Sequence, residues 1–506
     1  MIQQHQHVFD QLCAHVRETA LLATAAEALE WDERTMMPAA GAEYRAEQLT
    51  LLAGIVHQRS VDPRMGEWLG ELAHSPLAAE PHSDSATTIR QLKREYDKQV
   101  KLPQSLVEEL ARTASLAQHA WEKARPLNDF ASFLPHLAKT FELKRAQAAA
   151  LGYQESAYDA LLDDFEPHEK TANIARVLAE LREALVPLVA EIAASSKRPD
   201  VSIVSRRYPI EVQEQFSRAA SAAIGFDYAR GRVDVTAHPF CTGLGPNDCR
   251  ITTRYEERFF NSAFFGTLHE AGHGIYDQGL RADWYGLPPG EAISLGIHES
   301  QSRMWENLVG RSRAFWRHFY PQAQKLFPLA LGDVALDAFY FAINDVRPSL
   351  VRVEADEATY NLHILIRFEL EQALLADEIP IADAPAAWDD KYQQYLGIRP
   401  PSVADGVLQD VHWSAGLVGY FPTYSLGNLY ASQFFETADR ELGGLDEQFA
   451  RGEVQPLKIW LGDKIHRHGQ CYSAAELVEK VTGKPLSPAP LMAHLRRKLA
   501  PLYGLK

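Results

Sequence analysis

The run from Ala263 to Tyr276 constrains this chain more than any other, because it is apolar almost all the way around a helix. Ala263, Phe264, Phe265, Leu268, Ala271, Gly272, Ile275 and Tyr276 spread over the helical wheel, and Asn261-Ser262 offers an N-cap. A helix of that kind has to be enclosed by other elements. Embedded in it are His269, Glu270 and His273. Polar side chains inside such a helix must be hydrogen-bonded, paired or bound to a metal.

Spacing selects among those fates. Positions i and i+4 share a helix face with Cβ atoms roughly 5–6 Å apart, so His269 and His273 can converge on one Zn²⁺ at about 2.0–2.1 Å each. Glu270 leaves the helix at another angle and can reach a metal-bound water without ligating. This His-Glu-x-x-His arrangement is that of a zinc peptidase, with the glutamate as general base. A catalytic zinc takes three protein ligands plus water, so a third ligand must come from elsewhere. In Gly296–Gln301, Glu299 and His298 compete for that place. Glu306, two turns beyond Glu299 on the same face, either ligates or supports. Glu291, after Pro288-Pro289-Gly290, reads as the cap of the next helix.

With 51 basic against 67 acidic residues the net charge is −16, which argues against nucleic-acid and anionic-membrane partners. The N-terminal residues lack the pattern of a signal peptide, and no apolar run is long enough to span a membrane. Four cysteines are too few for a disulfide scaffold, and Cys241 and Cys249 read as unpaired thiols beside a Gly-rich turn. The expectation is a cytoplasmic protein.

Apolar residues recur at helical spacing over most of the chain, including 8–30, 292–310, 312–331 and 425–450. One region alternates with period two. Residues 232–241 and 248–255 read as a hairpin-like pair of strands around Thr242–Asn247, just before the buried helix. No fixed repeat or long linker interrupts the chain, so residues 1–506 read as a single, mostly helical body with a small β-sheet beside the active site. His466-Arg467-His468 has i, i+2 spacing and reads as a solvated segment. Asp377-Glu378 and Asp389-Asp390 read as helix-end or solvated charges.

Several spaced motifs appear in one order: Trp31–Pro38, His238-Pro239-Phe240, Asp248–Thr252, the zinc helix, His298–Gln301, Val351–Asp356 and Gly406–Trp413. Together the series resembles the carboxypeptidase Taq family of metallocarboxypeptidases over nearly the whole chain. The resemblance implies His269, His273 and Glu299 as zinc ligands and Glu270 as catalytic base. It also implies an all-α fold with a deep substrate groove, similar to helical zinc oligopeptidases, and a homodimer. One departure is Glu166-Pro167-His168, where a Glu-Pro-Gly turn is expected; it is read as altering a loop and leaving the metal chemistry untouched.

A carboxypeptidase must recognise a free α-carboxylate, and an Arg fork does so bidentately. Arg352 matches the Arg of the family's Val/Ile-Arg-x-x-Ala/Ser-Asp motif, and Asp356, one turn on, is expected to orient it. Without the resemblance an i, i+4 surface pair is the simpler reading. Arg250, in a strand beside the zinc helix, is the second candidate cation. That strand edge can align a peptide backbone, with His238 on the partner strand. For the oxyanion, His412 and a tyrosine of Gly419–Tyr424 are suitable donors. Tyr420 is favoured, with Tyr424 on the substrate side. Zn²⁺ is the default metal, with Co²⁺ or Mn²⁺ able to substitute. The expected partners are peptides with a free C-terminus. The closest alternative is a metallo-oligopeptidase cutting internal bonds of short peptides with the same zinc machinery.

Overall fold

In the computed structural model, which describes residues 2–505, the enclosed helix runs from Phe260 to Gly279. It starts two or three residues earlier than an N-cap at Asn261 or Ser262 would place it. Phe259 is the N-cap, without a side-chain cap bond, and Asn261 and Ser262 lie inside the first turn. Burial decides the start: Phe260 stacks on Phe264 and meets Tyr208 and Phe327, so the helix extends to keep it in the core.

Helices form nearly all the rest. The candidate-ligand helix, Leu295–Arg303, continues directly into a π-helical turn, Met304–Gly310, where the spacing predicts uninterrupted α-helix. The run at 312–331 breaks at Pro328 into Arg313–Leu326 and Pro328–Leu331. The run at 425–450 begins at Pro422 and breaks at Gly443 and Gly444, both at positive φ, into Pro422–Leu442 and Leu445–Ala450. Among the described residues no helix is long and apolar enough to cross a membrane.

The strand region differs from a simple hairpin. Residues 232–241 form two strands, β1 (Gly231–Val235) and β2 (Cys241–Gly243), with β3 (Cys249–Thr253) between them. β1 runs parallel to β3 and β2 antiparallel to it. Pro239 has no N–H to give a ladder. The chain therefore leaves the sheet after Thr236, whose N–H donates to Thr253 O, and returns on the other edge of β3. Phe240 N–H re-enters by donating to Thr252 Oγ1 at 2.7 Å.

One apolar core extends from the helices after Ala117 to the C-terminal helix Ala489–Tyr503. A smaller cluster joins Phe9, Leu12, Met65, Leu69, Leu72 and Ile89 of the N-terminal helices to Leu287. Leu287 lies in the connection between the enclosed helix and Leu295–Arg303, so the N-terminal helices brace that connection.

Candidate active site

Three close approaches bring the candidate ligands together. Gly272 packs on the backbone of Gln301 and Ser302 with no room for a side chain, which holds the enclosed helix against Leu295–Arg303. Gly427 lies directly against the Glu299 side chain, so Pro422–Leu442 closes over it from the other side. Glu166 fixes the start of the Glu299 helix. Its carboxylate accepts from Ser294 Oγ at 2.9 Å, Gly296 N at 3.0 Å and Tyr430 OH at 3.0 Å. The Glu-Pro-His segment is therefore not separate from the metal site, because its glutamate anchors the helix carrying a candidate ligand. His168 itself takes a φ of 68°, the left-handed conformation that glycine would adopt freely.

Glu299 Oε2 lies 3.6 Å from His269 Nε2 and 3.4 Å from His273 Nε2. The three donor atoms fall within 4.8 Å of one another. Both imidazoles are aimed by their other nitrogen: His269 Nδ1 meets Glu306 Oε2 at 2.9 Å, and His273 Nδ1 meets His298 Nδ1 at 2.6 Å. Of the two rivals for the third position, Glu299 joins the donor set, and His298 sits behind His273 with its Nε2 3.0 Å from Asp277 Oδ1. Glu306 faces His269 Nδ1, the position of a supporting group.

Charges around the set favour an ionised carboxylate. Burial pushes Glu299 up, but Arg303 and the two histidines outweigh it and hold its carboxyl well below the usual range. Arg303 Nε donates to Glu299 Oε1 at 2.7 Å. Burial opposes ionisation of Glu306 as well, yet His269, Arg303 and Arg311 bring it down to about 2. Burial and the neighbouring His298 push His273 down to about 4, leaving a neutral imidazole available as a ligand. Glu270 is different. It is 7 % exposed, and burial raises it to about 7.

Arg352 is 6 % exposed and lies in a short 3₁₀ turn, Arg352–Glu354, so the surface i, i+4 pair with Asp356 does not form. Asp356 instead accepts from Ala358 N, Thr359 N and Thr359 Oγ1 at the start of helix Thr359–Leu375. The group that orients Arg352 is Asp410, which accepts from Arg352 Nε at 2.9 Å and from the fully buried Arg367 at 2.6 Å. Arg352 Nη1 donates to Tyr360 OH at 3.2 Å, and Arg303 stacks on that ring at 4.4 Å. Tyr360 thus links Arg352 to the cation beside Glu299. Among the described residues Arg352 Nη2 has no hydrogen bond, so one arm of the fork remains available.

His412 Nε2 lies 3.2 Å from Tyr424 OH, and the Tyr420 and Tyr424 rings are 5.3 Å apart. Burial raises both tyrosine hydroxyls, and the Glu299 charge adds to it. His412 Nδ1 is buried with no hydrogen-bond partner. Burial pushes its imidazole down to about 4.

The remaining candidates fall elsewhere. Arg250 is committed to Asp248 through two bonds of 2.9 Å and stacks on Trp31 at 4.5 Å. His238 is exposed in the bend between β1 and β2, not on a strand, because the ladder breaks before Pro239. His466 is buried and bonds Gln301 Oε1 at 2.9 Å, so 466–468 is not simply solvated. The fold folds back there because Gly469 lies against the Pro289 backbone at φ 48°. Asp377 and Asp390 are exposed. Of the groups not singled out from sequence, Asp277 and Arg303 carried a signal, each being four residues from a candidate ligand on one helix face. Asp410 lies in the Gly406–Trp413 motif, whereas Arg367 and Tyr360 carried no signal apart from the fold.

Comparison with known proteins identifies the family over nearly the whole chain. The chain is 49 % identical to a protein named thermostable carboxypeptidase 1 from Thermus thermophilus over 505 residues, covering 98 % of this chain and 99 % of that one. It is 40 % identical to carboxypeptidase 1 of Bacillus subtilis, with 94 % and 95 % covered. A crystal structure of an M32 carboxypeptidase from Deinococcus radiodurans superimposes with a TM-score of 0.95 at 39 % identity, covering 99 % and 100 %. The family profile of the carboxypeptidase Taq (M32) metallopeptidases matches residues 11–499, and the chain belongs to that family.

Proposed function

We propose that this metallocarboxypeptidase is zinc-dependent and removes residues one at a time from the free C-terminus of peptides. The observation that supports it most is the donor set of His269, His273 and Glu299 beside a buried glutamate raised to about 7. Two imidazoles and an ionised carboxylate are the donor chemistry that Zn²⁺ takes, and Co²⁺ or Mn²⁺ can replace it. When bound, the metal supplies Lewis acidity toward the scissile carbonyl and lowers the pKa of water.

The protein's own groups do the rest. Glu270 takes a proton from the attacking water and hands it to the leaving amine, a task suited to a carboxylate titrating near neutral pH. His412 and Tyr420 donate to the developing oxyanion, and Tyr424 borders the substrate. Arg352, held from behind by Asp410, offers Nη2 to the terminal carboxylate of the departing residue. Arg250 and His238 have weaker support, since one is paired with Asp248 and the other lies in an exposed bend. The reading includes one continuous body acting as a homodimer in the cytoplasm. Sedimentation tests the dimer, and the four unpaired cysteines fit a reducing compartment.

Glu270→Gln tests the base directly. The variant should keep its metal by elemental analysis and lose activity by about 10²–10⁴-fold. Metal-loaded Glu270→Gln with near-normal turnover contradicts the assignment.

A further inference from the structure

A second donor cluster lies outside the catalytic set. Cys241 on β2 and Cys249 on β3 face Asp277, the last acidic residue of the enclosed helix. Their sulfurs are 3.7 Å apart, and they lie 3.6 and 3.9 Å from Asp277 Oδ2. Ligands sharing one tetrahedral cation have these separations. Metal–sulfur bonds of about 2.3 Å at the tetrahedral angle put two sulfurs about 3.8 Å apart. A metal–oxygen bond of about 2.0–2.2 Å puts sulfur and oxygen about 3.5–3.7 Å apart.

The other fate of a close cysteine pair is a disulfide, and the register opposes it. Cys249 pairs with Gly243 and Cys241 with Ile251, so the two cysteines are diagonal neighbours. Diagonal positions lie roughly 7–8 Å apart at Cα, beyond the usual disulfide span of about 4.4–6.8 Å. Two glycines make room for the cluster. A Cβ at Gly243 would lie 3.1 Å from Asp277 Oδ2, and one at Gly274 would lie 3.2 Å from Cys249 Sγ. Cys241 and Asp277 are only partly buried.

We propose that Cys241, Cys249 and Asp277 bind a second, thiophilic divalent cation of the Zn²⁺ and Cd²⁺ class. Binding releases the two thiol protons to solvent as thiolate–metal bonds form. The site is distinct from the His269, His273 and Glu299 set, but it touches that set through Asp277 Oδ1, His298 and His273.

The test is an anaerobic Cd²⁺ titration of the reduced, full-length protein. Two equivalents should bind, and one should bring a thiolate-to-cadmium ultraviolet band with protection of two thiols from a disulfide reagent. The double variant Cys241→Ser/Cys249→Ser should bind one equivalent, without the band or the protection. If that variant does not fold, thiol protection in the wild type together with the single Cys241→Ala variant decides the matter. No thiolate band, no protection of the two thiols, or a band that persists in the folded double variant overturns the proposal. The band reports only the cysteine cluster, so it stands or falls independently of the catalytic set, which has no sulfur ligand.

Discussion

Gly272 and Ser302 meet backbone to backbone: a Cβ on Gly272 would lie 2.6 Å from Ser302 Cα and 2.7 Å from Gln301 O. The contact sets the distance between the helix carrying both histidines and the helix carrying Glu299. Gly272→Ala should therefore push the helices apart, destabilising the fold by about 1–3 kcal/mol. Metal retention against a chelator should fall further than circular dichroism reports for the fold. Full retention in a folded Gly272→Ala protein contradicts this role for the contact.

Glu306 accepts from His269 Nδ1 and is itself held by Arg303 and Arg311. Glu306→Gln should weaken metal affinity by about 10–100-fold, the usual range for a group supporting a ligating histidine. The check is competition with a chromophoric chelator. Wild-type affinity would show that Glu306 only fills space.

His168 occupies the left-handed region where an L-residue costs about 1–2 kcal/mol. Glycine there removes that cost but adds about 0.4–1 kcal/mol of unfolded-state entropy. His168→Gly should come out more stable by about 0.5 kcal/mol on these two opposing effects, read from denaturant midpoints. A loss of stability would mean that the His168 side chain holds the turn.

Glu371 is fully buried and accepts from Tyr158 OH at 2.6 Å, Trp413 Nε1 at 2.8 Å and Gly419 N at 3.1 Å. Burial raises its carboxyl from 4.5 to about 7, so the folded state prefers the protonated form. Its contribution is complete below about pH 4.5, declines as pH rises through about 7, and is then constant. The loss is on the order of 3 kcal/mol across that window. Glu371→Gln has no proton to lose. Its stability deficit relative to wild type should therefore shrink between pH 5 and 7.5. A deficit independent of pH contradicts the raised carboxyl.

The histidine pair and Glu270 are legible as candidates in the sequence because their spacing is local to one helix. Glu299 and His298 were not separable, since the choice depends on how two helices are phased, and Gly272 and Gly427 set that phase in three dimensions. For the candidate Arg352, helical spacing points to Asp356, one turn on, as its partner. The chain is a 3₁₀ turn there, and the partner is Asp410, 58 residues away. The period-two alternation of 232–241 is strand only up to Val235 and again from Cys241. Pro239 splits it, and alternation alone does not say which edge of β3 each piece takes. His466 was missed because i, i+2 spacing describes a helix surface, whereas the chain kinks at Gly469 and buries the ring.

On the proposed function, the chain reads a free C-terminus and cuts beside it with a metal. Timed mass spectrometry of one unblocked peptide and its C-terminal amide, each with and without chelator, tests it most directly. The expected result is a ladder of single-residue losses from the free C-terminus, abolished by chelator, absent for the amide and strongly reduced in Arg352→Gln. Internal cuts in both peptides, unchanged in Arg352→Gln, would contradict it and identify an oligopeptidase instead.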